Sequence, residues 1–230
     1  MSELAHGAHP QGFAHQFEDV EQQRDAGRLG MWVFLVTEIL FFGGMFASYT
    51  IYRALHYESF VTGSHLLKVR FGATNTYVLI GSSLTMALAV RAAQTNRRKA
   101  LAVFLVLTML LGAMFLGIKF LEYAHKFEHS LVPGIRFAPG GEDLLAIQHW
   151  RAGVAHVQLF LCFYFFMTGM HALHMIIGLG ILTVLLIQSL RGRFSAEYYS
   201  PVEVSGLYWH FVDVVWIFLF PLLYLIGGRY

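Results

Sequence analysis

The chain has 230 residues, of which 57% are hydrophobic and 13% charged, with a formal net charge of +2. A typical globular domain carries about 25% charged side chains, so the composition excludes a water-soluble domain and an intrinsically disordered chain, and the charge is too small for a nucleic-acid partner. A single cysteine, Cys162, rules out an intrachain disulfide framework and a multi-cysteine metal or iron–sulfur site.

What is left is an all-α integral membrane protein, read here as one domain: a polar tail over residues 1–27 and a helical bundle over 28–230. The tail lacks the apolar core of a signal peptide; it carries His6, His9 and His15, read as solvated, and has helical potential over 17–28. A bilayer core about 30 Å thick takes about 20 mainly apolar residues at ~1.5 Å each. Five spans meet that requirement, at about 28–53, 71–95, 99–125, 152–190 and 204–228. The first holds one ionisable residue in its apolar stretch, Glu38, and the second holds none over 71–90. The third is apolar to Ile118 and then continues through Lys119, Glu122 and His125. Between the third and the next lies a turn-rich connection with Pro133, Gly134, Pro139, Gly140 and Gly141. The segment 152–190 contains no Asp, Glu, Lys or Arg. With no Pro or Asn-Gly breaker in it, one long tilted helix is the reading, and two short crossings (six spans in all) the alternative. The last span holds His210 and Asp213. Arg91, Arg97, Arg98 and Lys99 crowd one short loop, which orients the chain with its N-terminus cytoplasmic and its C-terminus outside.

Polar residues within the spans are where chemistry would reside. A charge near a helix centre costs about 2.5–3.5 kcal/mol on insertion scales. Glu38 is therefore protonated, paired, or turned to a polar cleft; a proton-linked or lipid-contacting carboxyl and a packing hydrogen bond are both open. His171 and His174 are three residues apart, a spacing compatible with metal or haem, although packing histidines bonded across helices are the simpler account. His210 and Asp213 repeat that spacing and are expected to orient each other by hydrogen bond; no nucleophile motif accompanies them. These features alone suit an accessory subunit, a small transporter or an intramembrane enzyme.

Four motifs choose among these. Tyr208-Trp209-His210-Phe211-Val212-Asp213-Val214-Val215-Trp216 resembles the C-terminal signature of subunit III of the haem–copper terminal oxidases. Thr168-Gly169-Met170-His171-Ala172-Leu173-His174 with Gly178 is similar to that family's TGxHxxHVIxG string. Arg28 with Glu38-Ile39-Leu40-Phe41-Phe42 resembles its buried-glutamate span, and Glu122-Tyr123 its EY pair. The resemblance covers about 28–228 and matches the short five-span bacterial form. Longer relatives add two N-terminal helices, so here either a neighbouring subunit would supply one wall of the family's lipid cleft or the cleft would be more open.

The resemblance implies an accessory, non-catalytic subunit of a proton-pumping cytochrome c oxidase in the bacterial inner membrane. Haem and copper would sit in partner subunits, none in this chain. Subunit I would be the main contact, with subunit II and phospholipids as further partners. Glu38, Phe34 and Arg28 would line the lipid cleft and support proton uptake into the D pathway. His171, His174, His210, Asp213 and Glu122 would be structural polar residues. Arg191 and Arg193, by charge and position, would meet lipid phosphate or acidic residues of subunit I. A quinol oxidase or nitric oxide reductase complex is the alternative setting, and a self-contained transporter the distant one.

Overall fold

The computed structural model describes residues 19–134, 137, 140–141, 144–145, 147, 153–196 and 198–227. They form six helices: α1 (Val20–Leu55), α2 (Tyr57–His65), α3 (Val69–Gln94), α4 (Arg98–Glu128), α5 (Val154–Leu190) and α6 (Ser200–Tyr224). All but α2 are long and apolar enough to cross a membrane, which gives five spans. Among the described residues there is no strand.

Local chemistry sets several boundaries. Asp19 caps α1 by accepting from the Gln22 N–H at 2.6 Å, with Glu21 in the positive first turn. The helical potential of the tail thus belongs to the first span itself, which starts at Val20; residues 1–18 lie outside the described set. Asn96, at φ +56°, takes the left-handed conformation that Asn tolerates and turns α3 into α4 within three residues. Pro201 opens α6, where its missing N–H costs nothing. The 37-residue α5 is one uninterrupted helix, so the six-span alternative does not hold. Gly134, at φ +118°, marks a turn in the connection before it, about half of which lies outside the described residues. The short α2 was not foreseen: nine residues with Glu58, Thr62 and Ser64 show neither a spanning length nor a strong apolar stripe. Its buried face nonetheless seats Phe60 against Tyr49, Phe160 and Phe163.

α6 is the hub. Its two buried tryptophans reach α3, Trp209 donating Nε1–H to Ser82 Oγ (2.9 Å) and Trp216 to Thr76 Oγ1 (3.1 Å). The Trp209 ring also rests on Gly112 of α4 and Gly178 of α5, where any Cβ would stand 2.9 Å from it. Hydroxyls tie the other neighbours, Thr85 to Thr108 between α3 and α4 (2.8 Å) and Tyr123 to Thr168 between α4 and α5 (2.5 Å). α1 lies parallel to α6: Phe34 meets Tyr208, Phe42 meets Phe211, Phe46 meets Phe218, and Tyr49 donates to the Leu222 carbonyl. Its other face leaves Leu29, Trp32, Val33, Val36, Ile39 and Leu40 exposed, as a lipid-facing surface requires.

Candidate functional site

The α1 face turned to α5 and α6 brings together residues from opposite ends of the sequence. Glu38, near the middle of α1, sets Oε2 3.1 Å from Nε2 of His174 on α5. The side chains are 19% and 12% exposed, so the pair sits at the edge of the bundle rather than in its core. The other ring nitrogen, Nδ1, lies 2.8 Å from the Met170 carbonyl oxygen. A carbonyl only accepts, so Nδ1 carries a hydrogen. The Glu38–His174 contact therefore holds one proton, either on the carboxyl donating to Nε2 or on an imidazolium donating to the carboxylate. Both arrangements are neutral overall, which is what a weakly solvated position demands.

The surroundings hold this pair in place. Phe42 sets its ring edge-on to His174 at 5.3 Å, and the Tyr208 hydroxyl donates to the His174 carbonyl oxygen at 2.9 Å. Phe34, one turn before Glu38, lies 6.0 Å from the Tyr208 ring. Arg28, further towards the N-terminus on the same face, donates from Nη2 to both Glu203 oxygens at 3.1 and 3.2 Å. Arg28, Phe34 and Glu38 thus line one seam. Arg28 meets α6 there through an ion pair.

The remaining polar residues go elsewhere. His171 does not face His174; it is buried between Phe115 and Trp216, each ring 5.3 Å away. Asp213 does not orient His210: the His210 Nδ1 lies 2.7 Å from Ser83 Oγ on α3 instead. Packing of α6 on α3 places that hydroxyl within the reach of the ring, and the Asp213 oxygens stay without a hydrogen-bond partner among the described residues. Arg191 and Arg193 are exposed just after α5, Arg191 serving as its C-cap. Glu122 joins a buried group that sequence reasoning only partly found. Lys119 Nζ lies 2.9 Å from Glu122 Oε2, 3.2 Å from Tyr164 OH and 3.0 Å from Tyr224 OH, while the Tyr224 hydroxyl donates to Glu122 at 2.7 Å. The i, i+3 spacing of Lys119 and Glu122 was the available signal; nothing local announced the two tyrosines. Among the described residues, no three His, Cys, Asp or Glu side chains converge as metal ligands would.

Comparison with known proteins agrees with the motifs. The family model described as Cytochrome c oxidase subunit III matches residues 149–228, which contain α5 and α6. Quinol oxidase subunit 3 of Bacillus subtilis (strain 168) is 31% identical over 211 residues, covering 90% of this chain and 92% of the relative. Cytochrome c oxidase subunit 3 of Thermostichus vulcanus is 30% identical over 217 residues, covering 94% and 95%. The chain belongs to the subunit III family of the haem–copper oxidases. As a subunit III it is a multi-pass membrane protein and one component of a multi-subunit oxidoreductase. The Probable quinol oxidase subunit 3 of Staphylococcus saprophyticus, 28% identical over 218 residues with 93% and 97% covered, extends the match to a third bacterium. Subunits named for quinol oxidase and for cytochrome c oxidase thus occur among relatives of nearly equal similarity.

Proposed function

We propose that this subunit III is an accessory subunit of a proton-pumping terminal oxidase, braced against subunit I, with haem and copper carried by its partners. It lies in the bacterial inner membrane with its N-terminus on the cytoplasmic side, where the basic Arg91–Lys99 turn and Arg191 and Arg193 meet anionic headgroups. Phospholipid acyl chains cover the exposed face of α1 beside Glu38. The Glu38–His174 pair, holding one proton at the edge of the bundle, supports proton uptake by the partner that pumps.

The single observation that carries this reading is the 3.1 Å Glu38–His174 contact at the edge of the bundle, on a helix whose other face is turned to lipid. A pair fixed by Met170 and Tyr208 is a proton-holding group with a defined geometry. Glu38→Gln in the native complex tests it. A carboxamide keeps one hydrogen bond without an exchangeable acid proton, so the complex is expected to assemble with normal haem content while proton uptake per electron falls. Unchanged proton uptake would remove Glu38 from the proton role.

Cytochrome c is the proposed electron donor. The Bacillus subtilis relative favours a second reading, in which the complex oxidises a quinol. Supplying the purified complex with reduced cytochrome c or with quinol separates the two.

A further inference from the structure

The His210–Asp213 motif has no part in the Glu38 seam, yet it lines a groove of about 310 Å³ between α3 and α6. The rims are apolar: Ile80 and Leu84 on α3, Val214 and Ile217 on α6, each roughly half exposed. Within the groove are Ser83, His210 and Asp213. Asp213 is 4% exposed and neither of its oxygens has a hydrogen-bond partner among the described residues. The Ser83 hydroxyl of the same groove is held by His210 Nδ1 at 2.7 Å.

Hydrogen counting shows what is missing. Ser83 has one hydrogen and His210, when neutral, has one. If His210 donates Nδ1–H to the Ser83 oxygen, its Nε2 is left as a bare acceptor. If Ser83 donates to Nδ1, the ring hydrogen sits on Nε2 and Nε2–H is left as an unused donor. Either direction ends at Nε2, which bonds none of the described residues. An unpaired polar atom in a hydrocarbon environment is costly.

Lipid does not supply that partner. His210 lies ten residues inside α6, about 15 Å from its nearer end at ~1.5 Å per residue. Headgroup hydroxyls and amines stay at the interface, and acyl chains have neither donors nor acceptors. A side chain from another transmembrane helix reaches that depth, and hydrogen bonds between helices are the usual means of satisfying such residues. A multi-subunit oxidase provides such helices.

We infer that the α3–α6 groove is the seat of a transmembrane helix of a partner subunit, which inserts a side chain able both to donate and to accept, a hydroxyl or a carboxamide, against His210 Nε2. This rests on the existence of partner subunits and is independent of the lipid and proton roles of Glu38.

The test uses the intact complex. A photoreactive benzoylphenylalanine is placed at Leu84 or Ile217 on the rim and, as control, at Phe120, which is 73% exposed on α4. The rim positions are expected to yield a covalent adduct with a partner subunit at least about fivefold above the control. Adducts with lipid or quinol alone, or equal partner yields from Phe120, overturn the inference. In parallel, His210→Leu is expected to lower retention of that partner during detergent washing about three- to tenfold, and His210→Gln to restore it. Equal retention in wild type, His210→Leu and His210→Gln likewise overturns it. Co-purification of wild-type subunit III with a haem-bearing chain checks the oxidase reading separately.

Discussion

Lys119 and Glu122 form a 2.9 Å ion pair whose side chains are 4% and 2% exposed, enclosed by the rings of Tyr123, Tyr164, Trp216 and Tyr224. The ammonium satisfies its hydrogens on Glu122, Tyr164 and Tyr224, and its charge faces four π-systems. This joins the later parts of α4 and α6 to the early part of α5. Removing one charge of such a pair costs about 3–5 kcal/mol, because the other stays buried and uncompensated. Lys119→Met is therefore expected to lower the thermal midpoint of the purified complex sharply. Lys119→Met with Glu122→Leu should recover at least half of the loss, since Tyr164 and Tyr224 can then bond each other. A double variant as unstable as the single would show that the tyrosine cage, not the charge balance, dominates.

The Trp209 seat makes a second prediction. A methyl group at Gly178 would approach Trp209 Cζ3 to 2.9 Å and Tyr208 Cε1 to 3.2 Å. Overpacking of this kind costs about 1–3 kcal/mol, and Gly178→Val is expected to exceed Gly178→Ala. Gly180, with no neighbour within 4 Å, is the control. Gly180→Ala should leave the thermal midpoint unchanged, and a loss equal to that of Gly178→Ala would refute the packing argument.

His174→Leu and Glu38→Gln are expected to differ. The first leaves a carboxyl without its hydrogen-bond partner at a weakly solvated site, whereas the second preserves a neutral polar contact. Subunit III carrying His174→Leu should be the less stable by about 1–3 kcal/mol. Equal thermal midpoints would mean that the Glu38 carboxyl is solvated from the lipid side.

Arg28 and the Arg191–Arg193 pair are expected to separate by function. Arg28→Ala removes a pair whose side chains are 41% and 23% exposed, so stability should change by less than about 1 kcal/mol. Arg191→Ala with Arg193→Ala should instead reduce the anionic phospholipid that co-purifies, read by lipid mass spectrometry. Unaltered lipid content would remove both arginines from the lipid-binding site.

Much of this molecule was legible in the sequence because a membrane imposes length and polarity so strictly. The segments 28–53 and 152–190 announced themselves by apolar length, and Glu38 by being the one ionisable residue in its stretch. Its partner was not legible. His174 is 136 residues away, and the i, i+3 spacing to His171 suggested a common role that the two rings, one facing α1 and one facing Trp216, do not share. The same spacing misdirected the reading of His210 and Asp213, since Ser83 on α3 takes the imidazole. Lys119 was visible as a residue; its cage was not, because Tyr164 and Tyr224 are brought to it by packing over 45 and 105 residues. α2 was invisible for the opposite reason: nine residues of mixed polarity fall far short of the length that marks a span.

The most direct test is a density map of the native complex isolated from its membrane, with haem and copper counted per chain. Subunit III is expected to lie flush against a larger haem-bearing chain, with both metals assigned to partners and Glu38 still paired with His174. A subunit III standing apart from any haem-bearing chain, or binding a metal through His171, His174 or His210, would contradict it.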